Sequence, residues 1–407
     1  MAYLPKLLVL TSSPPGGFQG GGVVLDEILR RYPRDRYVCF SVTPPPRVAG
    51  SEQLPESLRG VPCGTGPLVP RLGLRGARFY MPVLRGIGFR GVAWLRSRQA
   101  IEFGRQHSAE LVWAELQGDA LIIAQRVAKG LGVPFVGTVW DDPEGWLWDG
   151  GYDRFSRRLL RRRFRKALRA ARNLSTAGEA MQRAYESEYG VRSVILRHGF
   201  DAPAAAPERR RDDEGIEIGF VGSAYGRETW NAFLSAVRYL NGLSRSPHIR
   251  LRTFGGGDFP YRCDGVQIEA RGWQPADRML RELAQTDFCY LPYWFEPAKC
   301  RHVKLSFPNK FETYLAAGRP VLFHGPEYAG IGEAVRKYGV GLCLHSLSQP
   351  EIIAAVDRMI NDIQLRESFS RAAILAFHSE FNANVMMANF AGLIGIDPGF
   401  LVNQNRQ

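Results

Sequence analysis

Short apolar runs that end in glycine or proline alternate with helical periodicities along most of the chain. The first run, residues 6–11, meets Ser12-Ser13-Pro14-Pro15-Gly16-Gly17; Gly20-Gly21-Gly22 then leads into a helical stretch at 23–29. Strand, glycine loop and helix in that order open a doubly wound α/β domain. Such a loop lets a ligand approach backbone N–H groups closely, although many glycine loops simply turn the chain. Residues 43–70 are rich in proline and glycine and read as a loop. Strands are expected at 111–113 and 134–139, with a helix at 119–129 between them. The second of these strands delivers Trp140-Asp141-Asp142-Pro143-Glu144 at its C-terminal end, where open α/β sheets place their ligands. A carboxylate there would take a proton from a hydroxyl if burial held its pKa in a useful range, or Asp142 would simply cap the helix that Pro143 begins.

Asn173-Leu174-Ser175-Thr176 reads as a strand end before a helix, and residues 194–196 as a strand. Residues 202–215, rich in Ala, Pro, Arg and Asp, read as a linker. The pattern then starts again: a strand at 216–221, the loop Gly222-Ser223-Ala224-Tyr225-Gly226-Arg227, a helix near 229–240 and a strand at 251–254. Helical segments at 350–366 and 368–394 close the chain.

One stretch in this second half carries the most chemistry. In Ser306-Phe307-Pro308-Asn309-Lys310-Phe311-Glu312-Thr313-Tyr314-Leu315-Ala316-Ala317-Gly318-Arg319-Pro320, the residues Phe311, Tyr314 and Leu315 form one apolar helical face. Pro308 suits a helix start. Gly318 stands where a helix wants a left-handed residue after its end, and Pro320 prevents continuation. Val321-Leu322-Phe323 follows as a short buried strand. Lys310 and the first-turn N–H groups, with Asn309, would face an anion at the helix start. Glu312 lies one residue off the apolar face, placed to accept hydroxyl hydrogen bonds. A diphosphate above Lys310 and a ribose beside Glu312 fit this layout; so does a helix whose Lys and Glu are merely solvated.

The same stretch resembles the Lys-x-x-Glu-Tyr-x-Ala-x-Gly-x-Pro-Val segment of nucleotide-sugar glycosyltransferases of the GT-B fold, especially glycosyltransferase family four, with Thr313 at the segment's Glu position and Glu312 one residue before it. The match is specific over about twenty residues, and weaker similarity covers most of the chain. It implies an α/β protein of two Rossmann-like doubly wound domains facing a cleft. Residues 1–201 would form the acceptor-side domain, 202–215 the linker and 216–378 the nucleotide-sugar-binding domain, with a helix in 379–407 crossing back. Donor-binding residues implied by the resemblance are Gly222, Ser223, Trp273, Pro308, Asn309, Lys310 and Glu312. The family places an arginine after the first glycine of this domain; Ser223 stands there, and Arg227 would supply the charge from farther along the loop. Gly16, Gly17 and Gly21 would border the cleft near donor and acceptor.

The two candidate catalytic carboxylates are Asp142 and Glu296. Glu296 matches the first of two family glutamates, but it lies farther from Glu312 than the family spacing, so an insertion at 298–305 is inferred. That insertion carries Lys299, Arg301, His302 and Lys304. A departing diphosphate needs several contacts, since a helix end contributes about 0.3–1 kcal/mol and a hydrogen bond to a charged group about 1.5–3 kcal/mol.

The chain has 407 residues, enough for two domains. Its apolar and charged fractions are those of soluble globular proteins. No apolar run approaches the roughly 20 residues that span a bilayer, and the first is too short for a signal peptide. Six scattered cysteines without paired spacing argue for a reduced, cytoplasmic setting and against zinc. No Asp-x-Asp stands on a clear metal-binding loop, so neither metal nor other cofactor is expected beyond a UDP- or GDP-linked donor.

The net charge of +13 is concentrated in residues 154–172, which contain no acid. Leu160, Phe164, Ala167, Leu168 and Ala171 share one side of that helix, and the arginines would face outward toward an anionic membrane surface. Residues 71–98 interleave arginines with Leu, Phe, Tyr, Ile and Trp, as a second exposed face or as a helix packed on its own domain. The function that the family resemblance implies is metal-independent, retaining transfer of a hexosyl or related group from a nucleotide donor to a hydroxyl of a glycan, lipid-linked or small-molecule acceptor. The setting would be cell-surface glycan or glycolipid assembly, at the inner face of the membrane and without nucleic acid. Two alternatives stand beside it: a nucleotide-sugar epimerase of the same fold, and a non-enzymatic basic protein that binds nucleic acid or membranes.

Overall fold

A computed structural model describes residues 3–12, 14–16, 20–42, 56–66, 81–149, 154–203, 215–223, 225–243, 247–255 and 263–402, with no account of the side chains of 56, 81–90 and 155. The chain divides into two compact units. Unit 1 comprises Met1–His198 and Met386–Gln407, and unit 2 comprises Gly199–Val385.

In unit 1 the strands are β1 (Leu7–Thr11), β2 (Tyr37–Ser41), β3 (Cys63–Thr65), β4 (Leu111–Glu115), β5 (Phe135–Val139), β6 (Leu174–Thr176) and β7 (Val194–Ile195). They form a parallel sheet in the order β3-β2-β1-β4-β5-β6-β7 among the described residues. Its helices are α1 (Gly20–Arg30), α2 (Met81–Gln106), α3 (Gly118–Leu131), α4 (Pro143–Asp149), α5 (Arg154–Ala170) and α6 (Glu179–Tyr189). The apolar strand cores and the inner faces of these helices are buried together, as a parallel sheet covered on both sides requires.

Unit 2 holds β8 (Ile216–Val221), α7 (Arg227–Asn241), β9 (Ile249–Phe254), β10 (Gln267–Ala270), α8 (Ala276–Leu283), β11 (Phe288–Pro292), α9 (Cys300–Leu305) and α10 (Asn309–Ala316). It continues with β12 (Val321–His324), α11 (Gly330–Tyr338), β13 (Gly341–Leu344), α12 (Gln349–Asn361) and α13 (Ile363–Glu380). These strands make a second parallel sheet, β10-β9-β8-β11-β12-β13. Ile218, Phe220, Trp230, Phe233, Leu251, Tyr290 and Met359 are among its packed core. The chain ends with α14 (Ala383–Ile394) and α15 (Gly399–Val402). Met386, Met387, Phe390 and Leu393 pack into the unit 1 core with Leu7, Ile28, Tyr32 and Trp113.

Each sheet has a point where strand order reverses: between β1 and β4, and between β8 and β11. The C-terminal ends of strands at such points are where doubly wound sheets place ligands.

Three sequence expectations need correction. The stretch 43–70 holds a strand, β3, whose residues are largely exposed and give no apolar signal. The segment 368–394 is two helices, because Asn382 leaves the helical path and its Oδ1 accepts from Val385 N–H at 3.0 Å as a new cap. The segment 350–366 likewise breaks at Asp362, which accepts from Leu365 N–H at 2.9 Å. A side chain that bonds the backbone two to four residues on competes with the helix that would otherwise continue.

Candidate functional site

The unit 2 site is built on α10 and the loops after β8 and β11. Pro308 is the N-cap of α10, with φ −82° and ψ 133°, so the helix begins one residue later than the sequence implies. At the other end Gly318 has φ +64°. The Gly318 N–H donates to Leu315 O and the Arg319 N–H to Tyr314 O, at 2.9 and 3.0 Å. This left-handed closure fixes where Pro320 can start the run into β12.

Tyr314, fully buried, locks α10 to the sheet. Its hydroxyl donates to Tyr290 O at 3.0 Å and accepts from Val221 N–H at 3.2 Å. The N-terminal turn of α10 is thereby held against the ends of β8 and β11, beside the reversal point. Gly222 follows β8 with φ +76°, and its N–H donates to Phe254 O at 2.7 Å. That conformation is open to glycine at no steric cost and carries the chain to Ser223.

Lys310 is 6% exposed. Its Nζ donates to the carbonyl of Ser223 at 2.5 Å and lies 3.9 Å from the Tyr225 ring centroid and 4.9 Å from that of Phe220. Among the described residues no carboxylate pairs with it. Burial pushes its pKa down to about 7, because an ammonium loses hydration that one carbonyl and two ring faces restore only in part. A site so arranged favours an anion that completes the coordination.

Glu312, two residues on, is 1% exposed. Asn309 opens the helix, partly exposed, with its carbonyl accepting from Thr313 Oγ1 at 2.9 Å. The structure thus brings Gly222, Ser223, Pro308, Asn309, Lys310 and Glu312 to one end of the sheet. Arg227 is exposed at the first turn of α7. Glu296 is exposed at the start of a 3-10 turn, where its carbonyl accepts from Lys299 N–H at 2.9 Å. Neither side chain makes a hydrogen bond or ion pair with a described residue. Trp273 is 64% exposed after β10, a surface residue rather than a core one.

Behind the site, His324 Nε2 bonds to Ser346 O at 2.7 Å, so that nitrogen carries the proton and Nδ1 accepts from Tyr290 OH at 2.8 Å. Burial pushes this imidazole down to about 4, leaving it a neutral brace.

In unit 1, Gly16 N–H donates to Gly22 O at 2.7 Å, and Gly21 backs onto the Trp140 indole. Gly17 lies outside the described residues. Asp142, 1% exposed, accepts from Glu144 N–H at 3.0 Å on Oδ1 and from Tyr185 OH at 3.1 Å on Oδ2. It is therefore a cap for α4, with both oxygens engaged. Glu115, at the end of β4, was not singled out from sequence. Its carboxylate accepts from Ser12 N–H at 3.2 Å across the β1–β4 reversal point. Burial, with Asp141 nearby, pushes it up to about 7 against that bond, which is the range of a group able to exchange a proton near neutrality. Two apolar-adjacent strand ends were the available signal.

No family model matches the chain, and no curated protein matches it. Among solved structures it resembles HepE of Anabaena, crystallised with UDP, at 15% identity and a TM-score of 0.66 over 96% of this chain and 99% of that one. It also resembles the sucrose-phosphate synthase of Thermosynechococcus elongatus (13% identity, TM-score 0.67, 96% and 98% covered). WaaG, a glycosyltransferase of lipopolysaccharide biosynthesis, is similar at 13% identity and a TM-score of 0.60, with 96% and 99% covered. Two parallel α/β sheets of this order, matched over nearly the whole length, give this chain the fold of the GT-B glycosyltransferases.

Proposed function

We propose that the protein transfers a glycosyl group from a nucleoside-diphosphate sugar to an acceptor hydroxyl, with unit 2 holding the donor. The observation that carries this reading is Lys310: a buried ammonium with a carbonyl and two aromatic rings for company, at the N-terminal turn of a helix. Burying a cation without a carboxylate costs free energy, which a diphosphate would offset by charge-assisted hydrogen bonds. Glu312 on the same helix supplies the acceptor for ribose hydroxyls. The structural neighbours support the reading, since HepE is seen with UDP and with UDP-glucose. Retention at the anomeric carbon and independence of metal ions belong to the same proposal and rest on the family resemblance and the lack of an Asp-x-Asp loop. Among carboxylates of unit 1, Glu115 fits proton exchange better than Asp142, whose oxygens are engaged.

A thermal-shift panel of UDP-, GDP- and ADP-sugars, followed by mass spectrometry, tests the proposal. One nucleotide class should raise the melting temperature, and nucleoside diphosphate should accumulate with a glycosylated acceptor, in EDTA as well. Conversion of the donor to an epimer without any acceptor would favour the epimerase instead.

Helix α5 supports a place at a membrane surface. Leu160, Phe164, Ala167 and Leu168 are buried, while Arg154, Arg158, Arg162, Arg165, Lys166 and Arg169 are exposed. Arg163 donates to Ile122 O of α3 at 3.3 Å, and Arg161 pairs with Glu144. No helix among the described residues is long and apolar enough to cross a membrane. Each basic residue near an anionic surface adds about 1 kcal/mol. Reversing Arg158, Arg162, Arg165 and Arg169 to Glu should therefore abolish co-sedimentation with phosphatidylglycerol vesicles and leave nucleotide binding intact. Equal sedimentation of wild type with phosphatidylcholine vesicles would count against the surface role.

A further inference from the structure

The segment after β11 does something that the donor contacts leave unexplained. Residues 297–305 fold into a 3-10 turn and α9, whereas the hydrogen-bond and ring partners of Lys310 are Ser223, Phe220 and Tyr225. The 297–305 segment braces an aromatic stack. His302 meets the Trp294 ring edge-on at 5.2 Å, and Lys299 Nζ lies 5.4 Å from the centroid of the same ring. Trp294 in turn stacks on Tyr225, with centroids 4.6 Å apart and planes 22° from parallel. Tyr293 closes the stack edge-on, 5.6 Å from Tyr225 and 5.9 Å from Trp294. At the end of this row the Tyr225 ring covers the Lys310 ammonium at 3.9 Å.

We propose that Tyr225, braced by Trp294 and α9, is a positioning residue that keeps the Lys310 ammonium charged and aimed while no carboxylate neutralises it. This deepens the donor-site reading and rests on it for its functional meaning, though not for its test. An aromatic face attracts a cation through its quadrupole, and more strongly where water is excluded. A carboxylate would do the same but would occupy the charge that a diphosphate needs. A ring stabilises the ammonium and leaves its N–H bonds to be redirected. Tyr225 stands in the loop where the resembled family carries an arginine, so among the described residues the site pairs a buried cation, Lys310, with an aromatic partner.

The titratable groups around Lys310 are few. Its own helix carries Glu312 and Tyr314; the loop after β8 carries Tyr225, with Arg227 exposed at its end. The segment after β11 carries Glu296, Lys299, His302 and Lys304, of which Lys299 and His302 lie against Trp294. None forms an ion pair with Lys310.

Lysine-selective 15N NMR of the ligand-free protein tests the proposal by following the Lys310 Nζ signal as pH is raised. Wild type should titrate near the value set by burial, about 7. Tyr225→Leu, which keeps an apolar side chain and loses the π face, should lower the midpoint by about one unit, a tenfold change in the protonation equilibrium. Tyr225→Phe should leave it in place. Trp294→Leu should shift it less and in the same direction as Tyr225→Leu. An unmoved midpoint in Tyr225→Leu, or an equal shift in Tyr225→Phe, would overturn the role. A separate titration of UDP-, GDP- and ADP-glucose into wild type reports on the donor reading alone. Failure there leaves the NMR result standing, and failure of the NMR leaves donor binding standing.

Discussion

Lys310→Met should abolish measurable binding of the nucleotide sugar while making the ligand-free protein more stable to heat. Both effects follow from the same burial. The ammonium is 6% exposed and has one carbonyl bond, from Ser223 at 2.5 Å, so the folded state holds a charge that water would solvate better. A methionine of similar length removes that cost and fills the same space against Phe220 and Tyr225. Each 1 kcal/mol so gained raises the melting temperature by roughly 2–4 °C in a domain of this size.

The sign with pH agrees. The folded-state pKa, about 7, lies below the ordinary lysine value, so the unfolded chain binds more protons between the two values. The wild-type protein should gain stability as pH rises through that window, and Lys310→Met should not. Binding runs the other way. A diphosphate prefers the protonated site, so affinity for the nucleotide sugar should be greatest below about pH 7 and fall by up to tenfold per unit above it. Differential scanning calorimetry without ligand and titration calorimetry with it check the two halves. A Met variant that is less stable, or that binds as well as wild type, refutes the account of this residue.

Glu312→Ala should weaken nucleoside-diphosphate binding by about 100-fold or more. Two hydroxyl donors to a carboxylate are worth about 1.5–3 kcal/mol each, and 1.36 kcal/mol is tenfold. The loss should concern the ribose alone. Wild type should discriminate against a 2′-deoxy nucleotide, and Glu312→Ala should bind ribo- and deoxyribonucleotides equally. If the variant keeps its discrimination, the ribose is held elsewhere.

The chain announces α10 because every device that shapes it is local: Pro308 before it, the apolar face of Phe311, Tyr314 and Leu315, and Gly318 behind it. The strand ends at Val221 and Val139 were legible for the same reason, as apolar runs stopped by polar or glycine residues, whereas β4 runs two residues past the 113 that its apolar run marked. The partners of Lys310 were not legible. Tyr225 and Trp294 come from loops after different strands, and only the adjacency of β8 and β11 brings them into one stack. The sequence left Asp142 as either base or cap. Tyr185, on a helix far along the chain, joins the Glu144 N–H in engaging both its oxygens. Glu115 escaped notice because its pKa depends on depth in the fold and on Ser12 across the sheet, neither of which a strand pattern encodes. β3 was missed because an exposed edge strand of three residues has no alternation to read.

Proton uptake on donor binding tests the central claim most directly. At pH 8.5 the free site is mostly neutral and the occupied one charged. Titration calorimetry in buffers of different ionisation enthalpy should therefore show close to one proton taken up per nucleotide sugar bound by wild type at that pH. The same measurement at pH 5.5 should show none. Uptake of no proton at pH 8.5 with undiminished affinity, or no binding of a UDP-, GDP- or ADP-linked sugar at either pH, would contradict the assignment of Lys310 as the diphosphate-binding cation.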